Sequence, residues 1–65
     1  MIVLIGGKAK EIRSENISQL LNELCVELKN IAVVKNGRIV PKSKWNREMI
    51  YENDAIDFFS PVSGG

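Results

Sequence analysis

Residues 16–29 have the sequence NISQLLNELCVELK, which decides the fold class because it holds the clearest helical pattern in the chain. Its apolar residues recur at positions 17, 20, 21, 24 and 28, the spacing of one helical face. Asn16 is a suitable N-cap, with Gln19 three residues later in a variant of the capping box. Cys25 falls at the edge of the apolar stripe, where we expect it to pack as a small apolar side chain.

Two short segments before the helix predict a β-hairpin. Ile2–Ile5 is a continuous apolar run that ends at Gly6-Gly7, which indicates a buried strand followed by a turn. Residues 9–13 then form the returning strand, and we expect Ile12 to face inward.

A second hairpin is predicted after the helix. Residues 31–34 are apolar and mostly β-branched, which favours a strand. Asn36-Gly37 follows, and both residues tolerate the positive φ angles of a tight hairpin turn. Arg38–Val40 is then a brief returning strand, and Pro41 ends it because proline cannot donate to a strand ladder.

Loop signals separate this hairpin from the end of the chain. Residues 42–47 indicate a loop or a short helical turn, and we expect Trp45 within it to cap the end of the core. Residues 49–51 are a possible short strand, and residues 52–54 form a turn cluster.

Residues 55–60 predict the last strand, with Ile56 and Phe58 on one face and Phe59 on the other. The predicted order is hairpin, helix, strand, short crossing segments and strand. One amphipathic helix then covers a mixed sheet of four to five strands, which is an α+β architecture. A final strand that leads into a tail is the order expected of the β-grasp fold.

Size and composition restrict the function. With 65 residues, the chain permits one domain over residues 1–65 and little room for an enclosed active site, which favours a binding or carrier module over a self-sufficient enzyme. The net charge of +1 argues against nucleic-acid binding, and no apolar run is long enough to span a membrane. One cysteine and no histidine argue against a disulfide and a metal site, and we expect a cytoplasmic location.

Basic residues cluster in the middle of the sequence. They are Lys35, Arg38, Lys42, Lys44 and Arg47. Acidic residues follow immediately, so a solvated loop rim is favoured over a docking patch.

The sequence ends on the uncharged tail PVSGG, residues 61–65, which we expect to be flexible. Two glycines at one end would arise by chance in about 0.5% of chains. Glycine has no Cβ, so the backbone at Gly64 and Gly65 can enter a narrow channel and approach another protein's nucleotide closely. The Gly65 α-carboxylate is therefore the candidate reactive group and Gly64 provides clearance. A carboxylate is a poor electrophile, so a partner must activate it.

Several segments together resemble the ThiS family, the sulfur carriers of thiamine-thiazole biosynthesis, and more distantly the MoaD-related small subunit of molybdopterin synthase and ubiquitin. They are the helix at residues 16–29, NGRIVPKSKW at residues 36–45, NDAI at residues 53–56 and VSGG at residues 62–65. The Val-Pro-x-x-x-Trp spacing at residues 40–45 is the more specific of these marks. Asn53 stands where the family often has glycine, and asparagine also tolerates the left-handed conformation.

The resemblance implies a carrier protein with no catalytic residues of its own. An adenylating enzyme similar to ThiF or MoeB, using ATP and Mg²⁺, would convert the Gly65 carboxylate to an acyl-adenylate. Sulfur from a cysteine desulfurase or another persulfide donor would displace AMP and leave a thiocarboxylate. A ThiG-like thiazole synthase would take that sulfur, and Phe59, Val62 and Ser63 would contact the partners.

Three alternatives remain open from the sequence. The sulfur could go to molybdopterin or to tRNA rather than to a thiazole. The chain could be a ubiquitin-like modifier that forms an isopeptide bond through Gly65. It could also be a non-covalent β-grasp interaction domain whose tail is inert.

Overall fold

The computed structural model describes residues 1–26 and 30–59. The chain order is a hairpin, a helix, a second hairpin, a 3-10 turn and a final strand. The elements are β1 (Ile2–Ile5), β2 (Lys8–Glu11), α1 (Ile17–Glu23), β3 (Ala32–Lys35), β4 (Arg38–Val40), the 3-10 turn Lys42–Lys44 and β5 (Ala55–Phe59).

The described strands form one five-stranded sheet in the order β2-β1-β5-β3-β4. β5 lies in the middle, parallel to β1 and antiparallel to β3, while each hairpin pairs antiparallel. The helix α1 thus connects the first hairpin on one side of the sheet to the second hairpin on the other side. The last strand, β5, then fills the space between the two hairpins. The predicted mixed sheet with one covering helix is confirmed.

Both hairpin turns use the backbone conformations that their sequences predict. Gly6 and Gly7 have φ angles of 58° and 84°, and Asn36 and Gly37 have φ angles of 52° and 82°. Most residues are disfavoured at positive φ, so asparagine and glycine set the turn positions. The register of each hairpin follows, with Ile5 opposite Lys8 in the first.

The helix is shorter than predicted, because it ends at Glu23 rather than at residue 29. Leu24 is the C-cap, and Cys25 adopts a left-handed φ of 56°. The Val26 N–H donates to the Leu21 carbonyl at 2.9 Å, and the Cys25 N–H donates to the Asn22 carbonyl at 3.2 Å. These two bonds define a Schellman motif, which satisfies the last carbonyls and terminates the helix.

Cys25 is exposed, so the prediction that it packs as a small apolar residue is wrong. The apolar stripe assumed that the helical periodicity continued past Glu23, whereas Cys25 occupies the position just after the cap. Leu28, the last member of the predicted stripe, lies outside the described residues.

The start of the helix is capped as expected, with one variation. The Asn16 side-chain oxygen accepts a hydrogen bond from the Gln19 N–H at 2.8 Å. The Gln19 side chain accepts from the Glu15 N–H at 2.9 Å, one residue before the position that a capping box uses. Glu23 closes the preceding loop, because its carboxylate accepts from the N–H groups of Arg13 and Ser14.

The core lies between the helix and one face of the sheet. Its buried side chains are Val3, Ile12, Ile17, Leu20, Leu21, Val33, Val40, Trp45, Ile50 and Ile56. Ile12 faces inward as predicted, although β2 ends at Glu11, the residue before it, and not at residue 13. Trp45 caps the core as predicted, and its indole N–H donates to the Val40 carbonyl at 2.9 Å.

The predicted strand at residues 49–51 is wrong. Within the described chain, this segment forms only an isolated bridge between Met49 and Asn16, near the start of the helix. The Ile50 N–H donates to the Glu15 carbonyl, which ties the segment to the loop before the helix rather than to the sheet. The apolar residue Ile50 therefore reflects burial of its side chain in the core and not a strand.

Candidate functional site

The last described strand, β5, lies in the middle of the sheet and precedes the predicted tail. β5 is held on both sides, by β1 and β3, and its last residue, Phe59, pairs with Ala32. Phe58 packs against the core and Phe59 is 56% exposed, which confirms the predicted alternation. The sheet therefore fixes the position and direction of the chain up to Phe59.

The other predicted site residues lie outside the described residues. They are Val62, Ser63, Gly64 and Gly65, within the tail at residues 61–65. Their roles stay predictions, and the described part of the site is the surface next to Phe59.

That surface is the face of the sheet opposite the helix, which we call the outer face. Val3, Val33 and Ile56 are buried on the helix side, so the alternating residues of each strand point the other way. The outer face consists of Ile2, Leu4, Ala9, Glu11, Ala32, Val34, Ile39, Ala55, Asp57 and Phe59. Eight of these ten residues are apolar. The charged members are Asp57 on the central strand β5 and Glu11 on the edge strand β2, whose carboxylate lies 2.8 Å from the Met1 ammonium nitrogen.

Most of the outer face was not predicted from sequence. The run Ile2–Ile5 indicated a strand buried on both sides, whereas Ile2 is 36% and Leu4 is 38% exposed. Ile39 is 73% exposed, although its β-branched side chain is typical of a packed strand. The usable signal was that one helix can cover only one face of a sheet, so the second face of an apolar run stays open.

Lys35 departs from the predicted solvated rim of basic residues. Its side chain is 13% exposed and its Nζ lies 2.7 Å from a Glu48 oxygen and 3.8 Å from an Asp54 oxygen. The same Nζ donates to the Met49 carbonyl at 2.8 Å. Lys35 therefore anchors the segment between the 3-10 turn and β5. The other members of the cluster are exposed as predicted, namely Arg38, Lys42, Lys44 and Arg47.

The turn that leads into β5 is fixed by a network of hydrogen bonds. The Asn36 side chain donates to Asp54 at 3.0 Å and accepts from the Ala55 N–H at 2.9 Å. The Asp54 carboxylate also accepts from the Tyr51 N–H at 2.8 Å. Asn53 has a φ of 69°, so it takes the left-handed conformation that we expected it to tolerate. This network sets where β5 begins and hence where it ends.

Neither a cluster of metal ligands nor a membrane-spanning helix is found among the described residues. Residues 1–26 and 30–59 contain no group of three or more histidine, cysteine, aspartate or glutamate side chains placed to hold a metal ion. No helix in that part of the chain is long and apolar enough to cross a membrane.

The geometry on its own leaves the family of the chain open, and comparison with known families decides it. The model of the ThiS family matches residues 3–65, nearly the whole chain and including the terminal Gly64-Gly65. The chain belongs to the ThiS family. This confirms the family that the resemblance of its sequence segments indicated.

Solved structures agree with the fold of this ThiS-family chain. A crystal structure of the thiamine biosynthesis protein ThiS from Geobacter metallireducens superposes with a TM-score of 0.89, at 23% identity and with all of both chains covered. A solution structure of a thiamine biosynthesis protein from the same organism gives a TM-score of 0.79 at 23% identity, covering all of this chain and 88% of that one. At this identity, the likeness establishes the β-grasp fold.

A curated relative of the ThiS-family chain is much longer. A thiazole synthase from Paramagnetospirillum magneticum is 30% identical over 66 residues, which cover 100% of this chain and 20% of that protein. The chain thus spans about a fifth of the length of the relative that it matches. In that relative, a segment similar to this chain belongs to the same polypeptide as the rest of the thiazole synthase.

Proposed function

We propose that the Gly65 carboxylate is the group that carries sulfur, and that a thiazole synthase takes the sulfur from it. The observation that carries the proposal is the match to the ThiS family, which continues through Gly64 and Gly65 at the end of the chain. The position of β5 supports the proposal, because this strand precedes the terminal residues and is paired with a neighbouring strand on each side.

The first step activates the terminus. A carboxylate oxygen of Gly65 attacks the α-phosphorus of ATP in the adenylating partner, which forms an acyl-adenylate and releases pyrophosphate. Mg²⁺ bound by that partner offsets the negative charge of the nucleotide. Glycine suits both terminal positions because no Cβ obstructs the approach of the backbone to the nucleotide.

The second step installs sulfur. The terminal sulfur of a cysteine-derived persulfide attacks the acyl carbon of Gly65 and displaces AMP, which leaves the acyl group joined to the donor through an S–S bond. A thiol then reduces that bond, so the thiocarboxylate remains on Gly65 and the donor leaves as a disulfide. The sulfur is now a nucleophile at the end of the tail, ready for an acceptor.

Phe59 is a partner contact in this proposal, together with Val62 and Ser63 of the tail. Six residues follow Phe59, and a chain of that length extends at most about 20 Å. A partner that holds the carboxylate of Gly65 in its active site therefore has surface close to Phe59. A phenylalanine that is 56% exposed offers that surface apolar area to bury.

Thiazole synthase is favoured as the sulfur acceptor over molybdopterin or tRNA by one observation. The thiazole synthase relative includes a segment 30% identical to this chain within its own polypeptide. A carrier and its acceptor enzyme that occur on one chain act at high effective concentration, which is an advantage only if they work together.

Variants of the terminus test the proposal. Deletion of Gly65 and the substitution Gly65→Val should each abolish thiazole formation in a reconstituted system of adenylating enzyme, persulfide donor and thiazole synthase. Ser43→Val places the same side chain on an exposed residue of the 3-10 turn and should leave the rate unchanged. If the deletion variant still delivers sulfur, the terminus is not the carrier group. Covalent conjugates of higher mass would instead identify a protein modifier.

A further inference from the structure

Asp57 is the charged residue on the central strand of the outer face, whereas Glu11 lies on the edge strand and is paired with the N-terminus. Asp57 pairs in register with Val34 of β3, and Ala55 and Phe59 are its neighbours on the same side of β5. Its side chain is half-buried among these apolar residues. The ion pairs found among the described residues do not include Asp57.

A charged group in this position restricts what can cover the outer face. In the free protein, the carboxylate keeps part of its hydration. A partner that covers the face with apolar side chains alone would remove that water and leave the charge without compensation, which is strongly unfavourable. A partner that places an arginine or lysine against Asp57 compensates the charge and buries the surrounding apolar surface as well.

A second copy of this chain is a poor occupant for the same reason. Symmetric dimers bring the same patch of both subunits together across a two-fold axis. A dimer through the outer face would bring the two Asp57 carboxylates near each other at the centre of the interface, and the outer face has no lysine or arginine to separate them. The arrangement disfavours self-association and leaves the face free for a different protein.

We propose that Asp57 determines which protein docks on the outer face, by pairing with an arginine or lysine side chain of the thiazole synthase. This inference rests on the proposed function, which makes that enzyme the sulfur acceptor. The outer face includes Phe59, and Gly65 lies at most about 20 Å along the chain from Phe59. An enzyme that binds this face therefore has its active site within reach of the tail.

Binding without chemistry tests the role of Asp57. The dissociation constant for the purified thiazole synthase of the same organism is measured by calorimetry for the wild-type chain, Asp57→Asn, Asp57→Glu and Glu15→Gln, at low and at moderate salt. Asp57→Asn should weaken binding by about tenfold or more and reduce its salt dependence. Asp57→Glu should restore most of the affinity. Glu15→Gln removes an exposed carboxylate before the helix, away from the outer face, and should bind like the wild type.

Several outcomes would overturn the inference. Equal affinity of Asp57→Asn and the wild type is one, and equal loss in Asp57→Asn and Glu15→Gln is another. Wild-type binding to the adenylating enzyme but not to the thiazole synthase would also contradict it, as would a stable wild-type dimer in sedimentation. Circular dichroism of each variant checks that it is folded. Formation of the thiocarboxylate is measured separately, so its failure would refute the proposed function while the docking result stands by itself.

Discussion

At the scale of single residues, Glu23 shows how one side chain holds the segment that leads into the helix. Its carboxylate accepts hydrogen bonds from the Ser14 hydroxyl and from the N–H groups of Arg13 and Ser14. The Ser14 hydroxyl, followed by the Arg13 N–H, holds the pKa of Glu23 below its usual value of 4.5. Each bond favours the charged form of the carboxyl group.

This arrangement predicts a pH dependence of stability. Because the pKa of Glu23 is lower in the folded than in the unfolded chain, the unfolded state binds more protons as the pH falls. The stabilisation is fully present above pH 4.5 and is lost as the pH falls through the lowered folded value. Urea unfolding at a series of pH values should show a smaller acid loss in Glu23→Gln than in the wild type. Ser14→Ala, which removes the largest cause, should lie between them. Superimposable profiles of Glu23→Gln and the wild type would contradict this account.

Other residues show what the sequence determines by itself. Asn36, Gly37 and Trp45 were assigned correctly because each requirement is local: a positive φ, or an indole that needs an acceptor close to its proline turn. Lys35 was assigned wrongly and Asp57 was given no role, because the surroundings of these side chains depend on which strands become neighbours.

At the scale of elements, α1 and the outer face mark the limits of prediction by periodicity. The helical spacing placed the start of α1 correctly at Ile17 but could not locate its end. The end is set by Cys25, whose left-handed conformation has no signature in a cysteine, in contrast to a glycine at the same position. Strand alternation likewise predicted Phe59 correctly but not the exposure of Leu4, because a run that is apolar throughout does not reveal which face the helix covers.

The Schellman motif makes a prediction of its own. A β-carbon at a φ of 56° is strained, so Cys25→Gly should stabilise the protein by roughly 0.5–1 kcal/mol, as measured by chemical unfolding. Cys25→Ala is the matched control, because it also removes the thiol but keeps the β-carbon. Cys25→Gly should therefore exceed Cys25→Ala in stability. The reverse order would show that Cys25 does not occupy the left-handed position after the cap.

At the scale of the whole molecule, the described fold gives the sheet one covered face and one open face. The helix and the core occupy one face of the sheet, and the outer face remains open on the other. The last described strand lies between β1 and β3, so it is among the most firmly held parts of the chain. The order of the elements along the chain was predictable from the hairpin and helix signals, and the family was predictable from the segments that surround Pro41 and end at Gly65. The sequence did not predict which protein would bind the outer face, since that depends on the side chains of the other protein.

The central claim is that the Gly65 carboxylate becomes a thiocarboxylate, and the intact mass of the protein tests it most directly. The chain is incubated with ATP, Mg²⁺, the adenylating enzyme, a persulfide donor and a thiol, and is then analysed by mass spectrometry with fragmentation. We predict a gain equal to the exchange of one oxygen for one sulfur, located at Gly65 and absent without ATP. An unchanged mass with these partners active on another carrier, or a gain located at Cys25, would contradict the account.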